Sequence, residues 1–148
     1  GVKFETLVPE LVSEGYANES SIQFLADDTA VCLLRRDEGG NGLVGTARPP
    51  YTEWAWKDLG QRIGGPHFIE VPGFGFVAAV RLYDNGARTA VCSVDPATGA
   101  FHEILALPSG GDTSYPGLVW KDGLLWVSYY SSHEDKTSIY LAKVRLKK

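Results

Sequence analysis

Five residues of the sequence, Glu19, Arg35, Arg81, Tyr115 and Glu134, have types and spacing that suit an assembled site. They follow one another at intervals of 16, 46, 34 and 19 residues, and each falls at or just outside the end of a run that reads as a strand. Guanidinium forks grip carboxylates bidentately, which an ammonium cannot do. A phenol, with a pKa of about 10, is a poor nucleophile until a base such as a carboxylate takes its proton. Polar residues at strand ends in different parts of a chain are one way a single site is built from distant sequence. Asn18 and Arg36 belong to the same strand-end set. Whether Arg35 or Arg36 points inward stays open here, because adjacent strand residues face opposite sides.

The runs that must position these residues are short, β-branched or aromatic, and punctuated by turn formers. Ser114 to Val144 is the clearest stretch. Asp122-Gly123 separates its first two runs and is a strong two-residue hairpin signal. A polar loop, Ser131 to Lys136, precedes the third run, so the stretch reads as a three-stranded antiparallel meander. Earlier in the chain the same logic predicts strands over 20–25, 29–36, 43–48 and 53–59. A second set is predicted over 66–71, 74–82, 88–94 and 101–107. Val2 to Val8 alternates weakly and reads as one more strand.

These units repeat. Pro66 and Pro116 lie 50 residues apart and precede matching strands, and Ser20-Ser21-Ile22 fits the same slot earlier. A period of about 40–50 residues with about four short strands per unit points to propeller blades. No helical stripe competes with it. The expected fold is therefore all-β, a β-propeller of three four-stranded blades per chain in one domain over 1–148. The blades span about 18–60, 64–108 and 112–146. The third unit has three strands of its own, and the 2–8 run is the orphan that completes a neighbouring blade. Three blades make half of a six-bladed ring, so both ends expose apolar faces that association should cover. The expected partner is a second copy of the chain, in a homodimer of closed two-fold symmetry.

Composition narrows the function classes. A net charge of −4 with no basic cluster argues against a nucleic-acid surface. No apolar run approaches the roughly 20 residues that cross a bilayer as a helix. The chain opens on Gly1, has no Met and no signal peptide at its start, and assigns no compartment. Cys32 and Cys92 sit in apolar runs and read as buried free thiols, with no zinc-ligand spacing. No cofactor or metal is called for.

The ordered set Glu19, Arg35, Arg81, Tyr115, Glu134 resembles the C-terminal half of a sialidase (neuraminidase) of the BNR-repeat type. Ser93-Val-Asp95-Pro-Ala-Thr-Gly99-Ala-Phe101 is similar to that family's Asp-box. The resemblance implies that Tyr115 is the nucleophile and Glu19 its base. It implies that Arg35 and Arg81 are two of three carboxylate-binding arginines, with Glu134 steadying the remaining one. Glycosidase rules hold the Tyr nucleophile to be the sialidase exception, since a neutral phenol meets a carboxylate-bearing anomeric carbon with less repulsion than a Glu would. The family's first arginine and Asp acid/base lie in an N-terminal half that has no counterpart here, and no Arg-Ile-Pro motif precedes Glu19. The expected function is binding of an acidic sugar or other carboxylate ligand at the ring axis, possible weak glycoside hydrolysis included.

Plainer readings stand beside this one. Tyr115 could plug a channel, and Glu19 could simply pair with Arg35 or Arg81. His133 and Glu134 could be a surface loop, and Trp54, Trp56, Trp120 and Trp126 fit inter-blade packing as well as sugar stacking. The alternative function is a non-catalytic scaffold or oligomerising propeller fragment without ligand chemistry.

Overall fold

The computed structural model describes residues 1–37 and 39–147. Their strands form three antiparallel sheets and no helix. The first sheet holds β1 (Ala17–Phe24), β2 (Ala30–Arg36), β3 (Leu43–Ala47) and β4 (Ala55–Asp58). The second holds β5 (Gly64–Val71), β6 (Gly75–Leu82), β7 (Arg88–Val94) and β8 (Phe101–Ala106). The third holds β9 (Thr113–Lys121), β10 (Leu124–Glu134) and β11 (Lys136–Val144). Each sheet is a meander paired in chain order, and β5 packs against both β1 and β9. The architecture is all-β, consistent with a propeller-like or sandwich class.

Local chemistry explains the turns. Asp122 and Gly123 both take positive φ, 53° and 72°, as a type I′ hairpin turn requires, and join β9 to β10. In the Asp-box-like segment Asp95 accepts bonds from the Ala97 amide at 2.9 Å and the Thr98 hydroxyl at 2.7 Å, closing the turn between β7 and β8.

The second sheet is the middle layer. Period-2 alternation sends Ala78, Val80, Ala90 and Cys92 into a core shared with Val31, Leu33 and Val44 of the first sheet. Val77, Ala79 and Val91 point the other way, into a core with Leu118, Leu125 and Val127 of the third. That double burial is why β6 and β7 read as unbroken apolar runs. Cys32 and Cys92 are buried and free, and burial pushes the Cys32 thiol up to about 11.

The N-terminal run pairs with no strand of its own chain. Val2 to Val8 belongs to no ladder within the chain, and Val2, Phe4 and Leu7 are exposed. Residues 4–8 instead lie across a groove from Ile22, Phe24 and Trp54 on the outer face of the first sheet. The third sheet has three strands, the number its own unit was expected to supply.

Candidate functional site

The first strands each carry one extra residue near their start. The register slips between Ala17 and Glu19 in β1 and between Gly64 and His67 in β5, and β9 slips opposite Ser128 and Tyr130. Bulges re-aim side chains and tolerate a residue with no amide to donate, and Pro66 and Pro116 sit in two of them. Together the starts of β1, β5 and β9 and the ends of β2, β6 and β10 bring distant polar residues to one end of the sheets.

Glu19 is the centre of this group. The Tyr115 hydroxyl donates to Glu19 Oε1 in a hydrogen bond that joins residues 96 apart in sequence. Arg35 Nη1 donates to the same oxygen at 2.7 Å, and the Gly65 amide donates to Oε2 at 2.7 Å. Gly65 has φ +49°, and a Cβ there would stand 2.9 Å from the Tyr115 nitrogen, so only glycine lets β5 and β9 approach this closely. Tyr115 itself has φ 45°, a left-handed conformation that a residue before proline ordinarily avoids. The buried Ser114 hydroxyl holds it there by donating to the Gly64 and Gly65 carbonyls at 3.1 and 3.3 Å. Such strain costs about 1–3 kcal/mol and gathers at functional sites.

The contacts continue into a closed circuit. Asp37 Oδ1 accepts from Arg35 Nη2 at 2.9 Å and from Arg62 Nη2 at 3.0 Å. The Arg62 guanidinium lies 4.3 Å from the centre of the Tyr83 ring, and that of Arg81 lies 6.0 Å from it. Arg81 Nη2 donates to Asp112 Oδ1 and to the Tyr130 hydroxyl oxygen, each at 2.9 Å, while its Nε donates to the Thr113 carbonyl. The Tyr130 ring stacks 6.1 Å from that of Tyr115, which returns the circuit to Glu19.

Electrostatics set the resting protonation. Burial alone would raise the Glu19 carboxyl, but the Tyr115 hydroxyl, Arg35 and the Gly65 amide outweigh it and hold Glu19 below the usual carboxylate range. The bond to Glu19, then burial, push the Tyr115 phenol up. Burial and the bond to Asp112 push Tyr130 up to about 12. At neutral pH the pair rests as carboxylate and phenol, so the proton can pass to Glu19 as the phenol oxygen attacks an electrophile.

Of the residues expected from sequence, Glu19, Arg35, Arg81 and Tyr115 come together, and Arg35 is the inward member of its pair. Arg36 turns away to the Asn41 carbonyl and Asp58. Glu134 does not join them. It accepts from Tyr140 at 2.9 Å and lies 4.0 Å from His133, beyond a register slip near the end of β10. The acid beside Arg81 is Asp112, from the segment before β9. Sequence reasoning also passed over Asp37, Arg62, Tyr83 and Tyr130. Tyr83 lies two residues after Arg81, the spacing of one strand face, and Tyr130 holds in β10 the slot that Arg35 and Arg81 hold in β2 and β6. Among the described residues no group of three or more His, Cys, Asp or Glu is arranged to hold a metal ion.

Trp54 and Trp56 stack at 5.4 Å, and Trp56 covers Gly45 within the first sheet. Trp120 packs against Phe74 between the second and third sheets.

No protein-family model and no curated protein matches the sequence. Three solved structures resemble the fold. A protein of unknown function from Dyadobacter fermentans matches with TM-score 0.72 at 19% identity, over 95% of this chain and 41% of that one. An endo-1,4-β-xylanase from Bacteroides thetaiotaomicron matches with TM-score 0.63 at 9% identity, over 96% and 58%. The Bacteroides ovatus protein named xyloglucan PUL GH43B matches with TM-score 0.62 at 14% identity, over 88% and 27%. The chain thus spans less than two thirds of each neighbour, two of which carry the names of sugar-active proteins, and at these identities the likeness is one of fold: an all-β assembly of antiparallel sheets.

Proposed function

We propose that the chain is a sialidase-like half-propeller whose polar end binds an acidic sugar or related carboxylate ligand, with Tyr115 as nucleophile and Glu19 as its base. The observation that carries this reading is the Glu19–Tyr115 hydrogen bond, with guanidinium groups on both sides of it. A strained, exposed tyrosine held against an ionised carboxylate is an arrangement that packing alone does not call for. The sugar-active names of two fold neighbours point toward the same ligand class.

Closure into a six-bladed ring by a second copy belongs to the same reading. Its support is that each end sheet turns an apolar face outward: Ile22 and Phe24 on the first, Val119, Ile139 and Leu141 on the third. Sedimentation at low concentration tests it; a monomer mass at every concentration would remove the ring.

The test of the site compares the parent chain with Tyr115→Phe, using a fluorogenic sialoside and thermal stabilisation by sialic acid. Turnover lost in the variant supports the enzyme. Binding without turnover supports a lectin-like site. The absence of both favours a scaffold, and one feature speaks for that second reading. Arg35, Arg62 and Arg81 are matched by Glu19, Asp37 and Asp112, so the cluster already satisfies its own charges.

A further inference from the structure

A cleft of about 770 Å³ opens between the first and second sheets, away from Glu19. Its floor is the uncovered end of their shared core, where Leu25, Val31 and Phe76 line it. Leu25 follows the end of β1 and Phe76 lies near the start of β6, whereas Glu19 lies near the start of β1 and Arg81 near the end of β6. The cleft and the Glu19 group therefore sit at opposite ends of the same strands. One wall is made by β3 and β4, where Thr46 pairs with Ala55 and Val44 with Lys57, so that Thr46 and Lys57 share the face that lines the cleft. The other wall is the turn between β7 and β8, with Asp95. Gly99, at φ +82°, lets that turn reach β4, since a Cβ there would stand 2.9 Å from the Lys57 Cβ. Trp54 stands at the rim, stacked on Trp56 at 5.4 Å, and its Nε1 donates to the Tyr51 carbonyl at 3.0 Å, which fixes the ring. The charged groups divide into two kinds. Arg48 is taken by Asp27 at 2.8 Å, and Asp95 by the amide and hydroxyl of its own turn. Glu53 and Lys57 are exposed and have no ion-pair partner among the described residues.

We infer that this cleft is a second binding site, separate from Glu19 and Tyr115, and that it takes a short uncharged saccharide chain. Ligand cavities commonly measure about 300–1,000 Å³ and set a few polar groups over an apolar lining, as this one does. A sugar ring presents flat C–H faces and a rim of hydroxyls. The C–H faces suit Trp54, Phe76 and Leu25. The hydroxyls both donate and accept, and the uncommitted side chains match them in kind: the Glu53 carboxylate accepts, the Lys57 ammonium donates, and the Thr46 hydroxyl does either. Other ligand classes fit less well. An anion would be repelled by Glu53 and a cation by Lys57. A wholly apolar ligand would take water from both charges and replace none of its hydrogen bonds. The inference goes beyond the acidic-ligand site and does not depend on it.

Calorimetric titration of the intact chain with cellotetraose, xylotetraose and mannotetraose tests the assignment, with the Trp54 indole N–H followed by NMR. At least one of the three should bind and shift that signal. Trp54→Ala should weaken the binding about 10-fold or more, and Glu53→Ala and Lys57→Ala about 5-fold or more each. The last two change exposed side chains, so they keep the test valid if Trp54→Ala fails to fold. Tyr115→Phe should leave the affinity unchanged, and sialic acid should not compete. Binding of none of the tetrasaccharides would overturn the assignment, as would affinity that Glu53→Ala and Lys57→Ala leave intact. Competition by sialic acid would place the sugar at the Glu19 end instead, which removes the second site and leaves the acidic-ligand reading standing. A chain that binds a tetrasaccharide at Trp54 but no sialic acid would support this site while removing that reading.

Discussion

The second sheet and the two sheets beside it share one meander plan but meet solvent differently. In the second sheet Val77, Ala78, Ala79 and Val80 are all at most 1% exposed, because alternate residues enter cores on opposite faces. In the third sheet the face that carries Val119, Trp126, Ile139 and Leu141 meets no other layer, and Ile139 is 79% exposed. In the first sheet the corresponding surface is faced by residues 4–8 across a groove. Identical pairing thus gives a middle sheet buried on both faces and two end sheets with exposed apolar residues on one face. What separates them is whether a second layer covers the other face, and that is where apolar burial contributes its free energy.

The contrast can be broken most forcefully at its middle. Phe68→Ala, in the core between the first two sheets, should cost about 3–5 kcal/mol in urea denaturation. A loss under about 1 kcal/mol would mean that the middle layer is not close-packed. Next in size is Gly65→Ala, which places a Cβ against Ser114 and the Tyr115 nitrogen at a positive φ. It should cost about 1–3 kcal/mol, measured the same way, and wild-type stability in that variant would refute the close approach of β5 to β9.

A smaller, pH-dependent effect is expected for Glu19→Gln. Glu19 has a lowered folded-state pKa, so its contribution is present above the unfolded carboxylate value and fades as pH falls through the folded one. The stability gap between wild type and variant should be on the order of 1 kcal/mol at pH 7 and close at acid pH. A gap that widens on acidification would contradict the sign. The smallest effect belongs to the bare end. Leu141→Asp should change monomer stability by less than about 0.5 kcal/mol, because the side chain is 69% exposed. In sedimentation the same change should abolish any self-association the wild type shows; persistence of association would place the contact elsewhere.

The strands were legible for a clear reason. Turn formers such as Asp122-Gly123 and Asp95 act through their own neighbours, and alternation reports burial one residue at a time. The ordered set of Glu, Arg, Arg and Tyr was legible as well, since each falls at a strand end. The rest of the site was not. Arg62 lies in a connection that carries no period, and Asp37 and Asp112 sit in loops whose direction depends on the sheets they join. Glu134 entered the set only through the family resemblance, as the acid that steadies the remaining arginine, and β10 slips register before reaching it. Val2 to Val8 alternated like a strand, but alternation records which face a residue prefers and not whether an edge is within reach.

By itself the sequence determined the all-β class, the turn positions and the grouping of the strands into three sheets, all of which rest on interactions between residues close in the chain. Only the tertiary structure decided that Glu19 meets Tyr115, that Arg35 and not Arg36 stands beside them, and that the Arg62 and Arg81 guanidiniums lie 4.3 and 6.0 Å from the centre of the Tyr83 ring. Those meetings depend on the packing of β1 against β5 and of β5 against β9, and on one-residue bulges that turn each strand start. A bulge reverses which side chain faces inward, and no local propensity records it.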